Sequence, residues 1–467
     1  MPSINANNGF SNANFLTRRR FLQVGGAAAA ATVLDTVLPS SSKAAGASGV
    51  PPYALRFTTP DGRDPGHKMI IIYMQGGLSN FDTFDPKPNS PFPTIATSAK
   101  DIRFTKILEP LARHAQNFVV INNLHSDEGD HDRGAALALT TKRDIVGGSF
   151  YSPAVYKNPF VDFAELLNRE ARGEVGYVVL HQTENDVHGY NRGWEKPWGA
   201  LKHNEPMTVY SAYDTNTGEF TNPFSGSTVI PIERYRQRAE LLDIFDTQGQ
   251  VLVGESVDRH SRAYRQARSL IDGPFSGTFD LSREPARVIE QYGNTKIGKQ
   301  LLLARRMLEK GGARVVVAND GNYDNHLGLK KDMEISIGNF SKALNALIED
   351  VEIRFNEKVF IGIITEFGRT PGFSGEHHVH GPGRDHWPNA FGMTVICNDK
   401  NEVDGGRTIG RTNNSGEILG GNRLPASAVG DTLLSLLKIR RFEKRGEVVT
   451  GIGFPYINIR NGTLVNH

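Results

Sequence analysis

From residue 69 onward, short apolar runs recur at wide intervals. They are Met69–Met74, Phe118–Ile121, Tyr177–Leu180, Ala313–Ala318, Val359–Thr365 and Phe391–Cys397. Each is too short for an amphipathic helix. Most are rich in β-branched residues with Gly or Asn close by, the pattern of buried strands. Between them lie segments of helical period. Ala286–Lys310 follows Pro285 and stops at Gly311-Gly312, a helix start and a helix stop. Ile335–Val351 repeats the period through Ile335, Phe340, Leu344, Leu347, Ile348 and Val351, and Ala426–Leu437 is a third such segment. Strands alternating with helices predict an α/β fold, a central mainly parallel sheet sandwiched by helices. The stretch at about 181–285 breaks this rhythm: it is polar and aromatic, then helical and densely charged over Glu233–Ala267. It is predicted to be a helical or irregular insertion packed on the main domain.

The N-terminus reads as an address. Thr17-Arg18-Arg19-Arg20-Phe21-Leu22-Gln23 precedes an Ala-rich apolar run, Val24–Leu38, and then the small residues Ala44-Ala45-Gly46-Ala47. A charged region, an apolar region and a cleavage zone in that order are a signal peptide, and the Arg18-Arg19 pair resembles a twin-arginine signal. An ordinary secretory signal or a basic patch before a helix would be the plainer readings. The boundaries predicted are 1–46 for the signal, 47–66 for a Pro/Gly/Asp-rich linker and 67–467 for the α/β domain. The apolar run is too short and Ala-rich for a stable membrane span, and no later stretch reaches that length. The expected partner in export is the twin-arginine translocase, and the expected location is periplasmic or extracellular.

Charge changes the picture by exclusion. With 53 Lys+Arg against 51 Asp+Glu, the chain has no net drive toward nucleic acid or acidic membranes. The single cysteine, Cys397, rules out an intrachain disulfide and a thiolate metal site, and its place at the end of an apolar run suits a strand core.

Ligands of parallel sheets gather beyond the carboxyl ends of the strands. Those ends are rich in acids and histidines here. Asp82 and Asp85 follow the first run; His125, Asp127, Glu128, Asp130, His131 and Asp132 follow the second. Asp320, Asp324 and His326 follow the fourth, and Glu366 and Arg369 the fifth. A Gly-rich loop then carries His377, His378, His380 and His386, four of the chain's 14 histidines within ten positions. Carboxylate plus imidazole without thiolate suits a divalent metal, Zn²⁺ or Mn²⁺ most of all. Plainer roles compete: Asp82 and Asp85 suit turn caps around Pro86, Asp130 and Asp132 suit a helix cap, and His377, His378 and His380 suit a solvated loop. Asp324, His326, Glu366 and His386 are the strongest candidates for a shared site.

Several motifs carry a family resemblance. Gly76-Gly77-x-Ser79-x-x-Asp82-x-Phe84-Asp85-Pro86-Lys87 is followed by Phe279-Asp280-Leu281-Ser282-Arg283-Glu284-Pro285 and Asp324-x-His326. Glu366-Phe367-Gly368-Arg369-Thr370-Pro371 and Gly383-Arg384-Asp385-His386-Trp387-Pro388 complete the set. Together they resemble the twin-arginine-exported family known as domain of unknown function 1501, which looks like a distant branch of the alkaline phosphatase and sulfatase superfamily. The resemblance implies an alkaline-phosphatase-like sheet with a metal site at the strand ends. Asp324, His326, Glu366 and His386 match superfamily ligands in kind. Phe367 stands where a His is expected, and Gln75 where an acid is, so Asp82 or Asp85 would have to substitute. The superfamily nucleophile, a Ser, Thr or modified Cys at a helix start, is replaced by His131.

The expectation is a metal-dependent hydrolase of phosphate or sulfate esters, acting on a small-molecule or glycan anionic ester. Asp324, His326, Glu366, His386, Asp82 and Asp85 would hold metal, Arg369 or Arg384 would pair with the anion, and His131 would sit beside the reacting atom. The alternative is a non-catalytic metal- or carbohydrate-binding or assembly protein that kept the fold. The export reading has a direct check: with Arg18 and Arg19 both replaced by Lys, mature protein should vanish from the extracytoplasmic fraction, and unchanged processing would refute the twin-arginine route.

Overall fold

Fully buried strands need side chains that are apolar on both faces, and the apolar runs provide them. The computed structural model describes residues 67–140, 145–146, 155–156, 177–181, 209–223, 234, 237, 240–241, 273–437 and 456–465. The signal, the linker and most of the predicted insertion lie outside the described residues. The main sheet is built from β1 (His67–Met74), β2 (Phe118–His125), β3 (Tyr177–His181), β4 (Val209–Asp214), β5 (Glu219–Phe220), β6 (Val315–Asp320) and β7 (Lys358–Ile364). A small ribbon, β8 (Gly368–Arg369) with β9 (His386–Trp387), stands apart from it. The sheet is completed by β10 (Phe391–Cys397), β11 (Arg407–Ile409) and β12 (Leu424–Pro425). Its order is β11-β2-β10-β7-β1-β6-β3-β4-β5, with β12 also pairing β2.

The predicted α/β fold with a mainly parallel sheet is what forms. β7, β1, β6, β3 and β4 run parallel, with Met69 opposite Val315 on one side and Phe360 on the other. β10 is antiparallel to both neighbours, so β2 beyond it points the same way as β1 again. The reversal has a simple cause. No helix lies between β7 and β10 to carry the chain back across the sheet, and a parallel return needs such a crossover. The consequence matters for the site: β1, β2, β6 and β7 all end at one edge, and β10 begins there.

Alternation along β1 divides the core. Ile70, Ile72 and Met74 face one layer, Met69, Ile71 and Tyr73 the other. Helices α1 (His131–Thr140), α2 (Ala286–Tyr292), α3 (Lys296–Glu309), α4 (Leu329–Arg354) and α5 (Ala428–Leu436) cover the two faces. Leu301 of α3 and Leu344 of α4 pack on the first layer, Ala135 of α1 and Leu433 of α5 on the second. Cys397 is buried in the second layer, and burial pushes its thiol up to about 12, in keeping with a strand-core residue.

Two local readings are corrected. The single helix predicted over Ala286–Lys310 is two, because Gly293 takes a left-handed φ of 85° and caps α2, and Thr295 then caps α3 by accepting from the Gly298 N–H. Within the predicted insertion, Val209–Asp214 is a strand of the main sheet, not irregular structure. The motif residue Glu284 also proves structural. Burial opposes its charge, but Arg305 at 2.8 Å, Arg306 and Lys310 hold its carboxyl down at about 2.

Above the carboxyl edge, the loop after β1 is tied to the loop before β10 by a pair with no solvent exposure. Arg384 donates from Nε to Asp82 Oδ2 at 2.7 Å and from Nη2 to Oδ1 at 3.1 Å. Ser79 adds a third donor to Asp82 at 2.6 Å, and the Arg384 guanidinium also lies 4.1 Å over the Phe373 ring. Removing one partner would strand the other as a buried charge. We expect Asp82→Ala to cost about 3–5 kcal/mol in denaturant unfolding. The double change Asp82→Leu with Arg384→Met should cost less than Asp82→Ala alone; a surface-like loss below about 1 kcal/mol would refute this account.

Candidate functional site

The strand ends bring distant residues to one point. β7 runs out into Thr365-Glu366, and the Glu366 carboxylate is fully buried beneath the edge. It accepts from Tyr73 Oη at 2.7 Å, Gly76 N at 2.8 Å, Thr365 Oγ1 at 3.0 Å and His131 Nδ1 at 2.7 Å. Burial works against its charged form, but His131 first and Tyr73 after it hold the carboxyl below its ordinary value.

His131 opens α1, where Asp130 Oδ1 caps the helix by accepting from the Arg133 N–H at 3.1 Å, as the capping reading expected. Its Nε2 lies 3.4 Å from Asp324 Oδ2. Two further histidines approach Asp324 from the other side: His326 Nε2 lies 3.0 Å and His386 Nε2 3.3 Å from Oδ1. All three rings share one orientation logic. Each turns Nδ1 to an oxygen acceptor, Glu366 for His131, Asp385 at 2.8 Å for His326 and the Gly129 carbonyl at 2.7 Å for His386. Three imidazoles held by Nδ1–H bonds bring three Nε2 atoms within 3.4 Å of a single carboxylate, the arrangement that orients histidines for metal.

One group of ligating side chains comes together among the described residues: His131, Asp324 and His386, with ligand atoms all within 4.8 Å of one another. His326 joins it through its contacts, its Nε2 only 3.1 Å from that of His386. Two lone pairs at that distance repel unless a proton or a cation lies between them. Phe367, which replaces an expected His, packs its ring on His131 and His386 at 4.8 and 4.5 Å between centroids.

The motif Gly76-Gly77 is explained by this crowding. Both have left-handed φ, 113° and 77°. A Cβ on Gly76 would stand 2.5 Å from the Asp324 nitrogen, and one on Gly77 2.9 Å from the Phe367 ring.

Arg369 is buried and donates to the Gly77 carbonyl at 2.9 Å, the Arg384 carbonyl at 3.0 Å, the Gly76 carbonyl and Asp324 Oδ1. The predicted site residues therefore sort into three kinds. His131, Asp324, His326 and His386 converge, with Glu366 directly behind His131. Arg369 and Arg384, expected at the anion, are buried in protein contacts. Asp82 and Asp85, expected at metal, are elsewhere: Asp82 is held by Arg384, and Asp85 by Lys87 at 2.9 Å and Thr412 at 2.5 Å. His377, His378 and His380 lie exposed in the loop before β9, as the plainer reading had them. Asp385 and the Gly129 carbonyl were not singled out from sequence. Asp385 adjoins His386 in a motif already noted, whereas a backbone carbonyl leaves no side-chain signal.

Burial opposes protonation of His131, but Asp324 and Glu366 outweigh it and raise the imidazole from 6.5 to about 9. A raised folded-state value stabilises the fold fully below about 6.5, and that contribution is lost as pH rises through about 9. Metal-free protein should accordingly lose up to about 1.4 kcal/mol per pH unit across this window, a slope absent in His131→Gln. Equal slopes in urea titrations of the two proteins would refute the assignment.

A family model described as "Protein of unknown function (DUF1501)" matches residues 67–441. A search of curated proteins finds no match. Among solved structures, the chain is similar to the lipoteichoic acid synthase LtaP from Listeria monocytogenes, at 10% identity and a TM-score of 0.35, covering 87% of this chain and 79% of that one. It is also similar to alkaline phosphatase from the Antarctic bacterium TAB5, at 11% identity and TM-score 0.37, covering 80% and 99%. A third is the Streptococcus pyogenes phosphoglycerol transferase GacH, at 10% identity and TM-score 0.33, covering 82% of each chain.

Proposed function

The chain belongs to the DUF1501 family, and on that footing we propose that it is a metal-dependent hydrolase of phosphate or sulfate esters acting outside the cytoplasm. The observation that carries the metal part is the set of three Nδ1-tethered histidines aimed at Asp324. His131, His326, His386 and Asp324 would hold the ion, a nitrogen-rich set without thiolate that suits Zn²⁺ or Mn²⁺. The cation would supply a Lewis acid for an ester oxygen and lower the pKa of water.

The chain's own residues do the rest. Glu366, Asp385 and the Gly129 carbonyl fix the three rings. Exposure favours a working site over a structural one. His131 is only 2% exposed at the floor, while Asp324 and His326 are 41% and 45% exposed, so one side faces solvent. Structural metal sites are closed on all sides, and catalytic ones keep a position open. With His131 at the helix start in place of Ser or Thr, the attacking group would be water. The ester class rests on the motif resemblance, and the location on the Arg18-Arg19 signal. No helix among the described residues is long and apolar enough to cross a membrane.

One observation favours the second reading, a metal- or carbohydrate-binding protein without turnover. Arg369 and Arg384 are both spent on internal contacts, so neither is offered to an anion. A single experiment separates the two. Mature protein is analysed for metal and assayed on aryl phosphate mono- and diesters and aryl sulfates. We expect bound divalent metal and turnover that falls with a chelator. Glu366→Gln, which removes the charge that holds the His131 Nδ1–H, should lower metal affinity roughly 10- to 100-fold. Metal without turnover would move the protein to the second reading, and protein that binds no metal would refute the hydrolase and leave only the carbohydrate-binding form of the second.

A further inference from the structure

Building on the proposed metal site, we infer that it takes a single cation, and that the Arg369 guanidinium fills the neighbouring place a second cation would need. The first ground is how the carboxylates are used. Glu366 receives four donors, and each of its oxygens has two. Asp82 receives Arg384 and Ser79, Asp85 receives Lys87 and Thr412, and Asp320 receives Tyr323 at 2.6 Å and Lys296 at 3.2 Å. Among the described residues, this leaves Asp324 as the carboxylate that faces the three Nε2 atoms. One carboxylate and three imidazoles suffice for one ion with a further position left to water, and are too few for a pair that must share bridging oxygens.

The second ground is the surroundings of Arg369. Four oxygens converge on its guanidinium: the carbonyls of Gly76, Gly77 and Arg384, and Asp324 Oδ1. These oxygens are fanned around a planar fork, too far apart for one small ion to bind together, so charge is what bars a second cation. A side chain with no solvent exposure sets a permanent positive charge against Asp324 Oδ1, the carboxylate oxygen that ion would have to share. A second ion beside Asp324 would meet that charge at contact distance.

The test reads metal, not turnover. Mature protein is stripped of metal, reloaded with Mn²⁺ or Zn²⁺, and analysed by elemental composition and calorimetric titration; the Mn²⁺ form is examined by electron paramagnetic resonance. We expect one ion per chain, the hyperfine pattern of an isolated Mn²⁺, and unchanged stoichiometry in Asp85→Asn. Two ions per chain with a spin-coupled spectrum, or metal lost in a folded Asp85→Asn, would overturn the inference and leave the metal reading standing. No bound ion would instead refute the metal reading itself. For Arg369, a folded Arg369→Ala should admit a weaker second Mn²⁺, and Arg369→Lys, which keeps the charge, should not. A second ion in the Lys variant, or none in a folded Ala variant, would remove Arg369 from that role.

Discussion

A carboxylate sealed from water must be surrounded by donors, and the architecture of this edge depends on how Glu366 meets that requirement. Leaving it unsatisfied would cost several kcal/mol. Its four donors come from three separate pieces of chain: Tyr73 and Gly76 at the end of β1, Thr365 just past β7, and His131 at the start of α1. Meeting the need fixes the exit path of β1, the approach of α1 and the tautomer of His131 together. The reactive face of that imidazole is thereby turned upward to Asp324.

The next shell repeats the device with the opposite sign. Arg369 and Arg384 are cations sealed from water, and each is surrounded by acceptors. Arg384 uses Asp82 and the Thr370 and Pro371 carbonyls, and Arg369 uses three carbonyls and Asp324. The loops at this edge have little regular structure to order them. Two buried guanidinium groups with nearly every N–H directed take its place, since a planar fork imposes direction as well as charge.

Much of the fold was legible because buried parallel strands are written as continuous apolar runs. Phe391–Cys397 was located to the residue, though its direction depends on the absence of a crossover, which an apolar run does not encode. The break at Gly293 was legible too, in Gly293-Asn294-Thr295, but helical period on both sides masked it. Asp324, His326, Glu366 and His386 could be found by looking just beyond the strand ends for acids and histidines. The Arg384 and Asp82 pairing could not, because a contact across 302 residues has no local signature. Asp82 looked like a ligand for the same reason it is a good partner for Arg384: an acid just past a strand end serves either purpose.

Such long separations also govern when the cluster can exist. Gly129 and His386, which meet at 2.7 Å, are 257 residues apart, and Tyr73 and Glu366 are 293 apart. Contacts of that kind carry a loop-closure entropy that local contacts do not, and none can form before both partners have been synthesised. A ribosome-bound chain that has not yet emerged past β10 holds its histidines on separate, unjoined pieces. Affinity at the proposed metal centre would therefore report that the chain has emerged past His386 and that the sheet edge has closed around it.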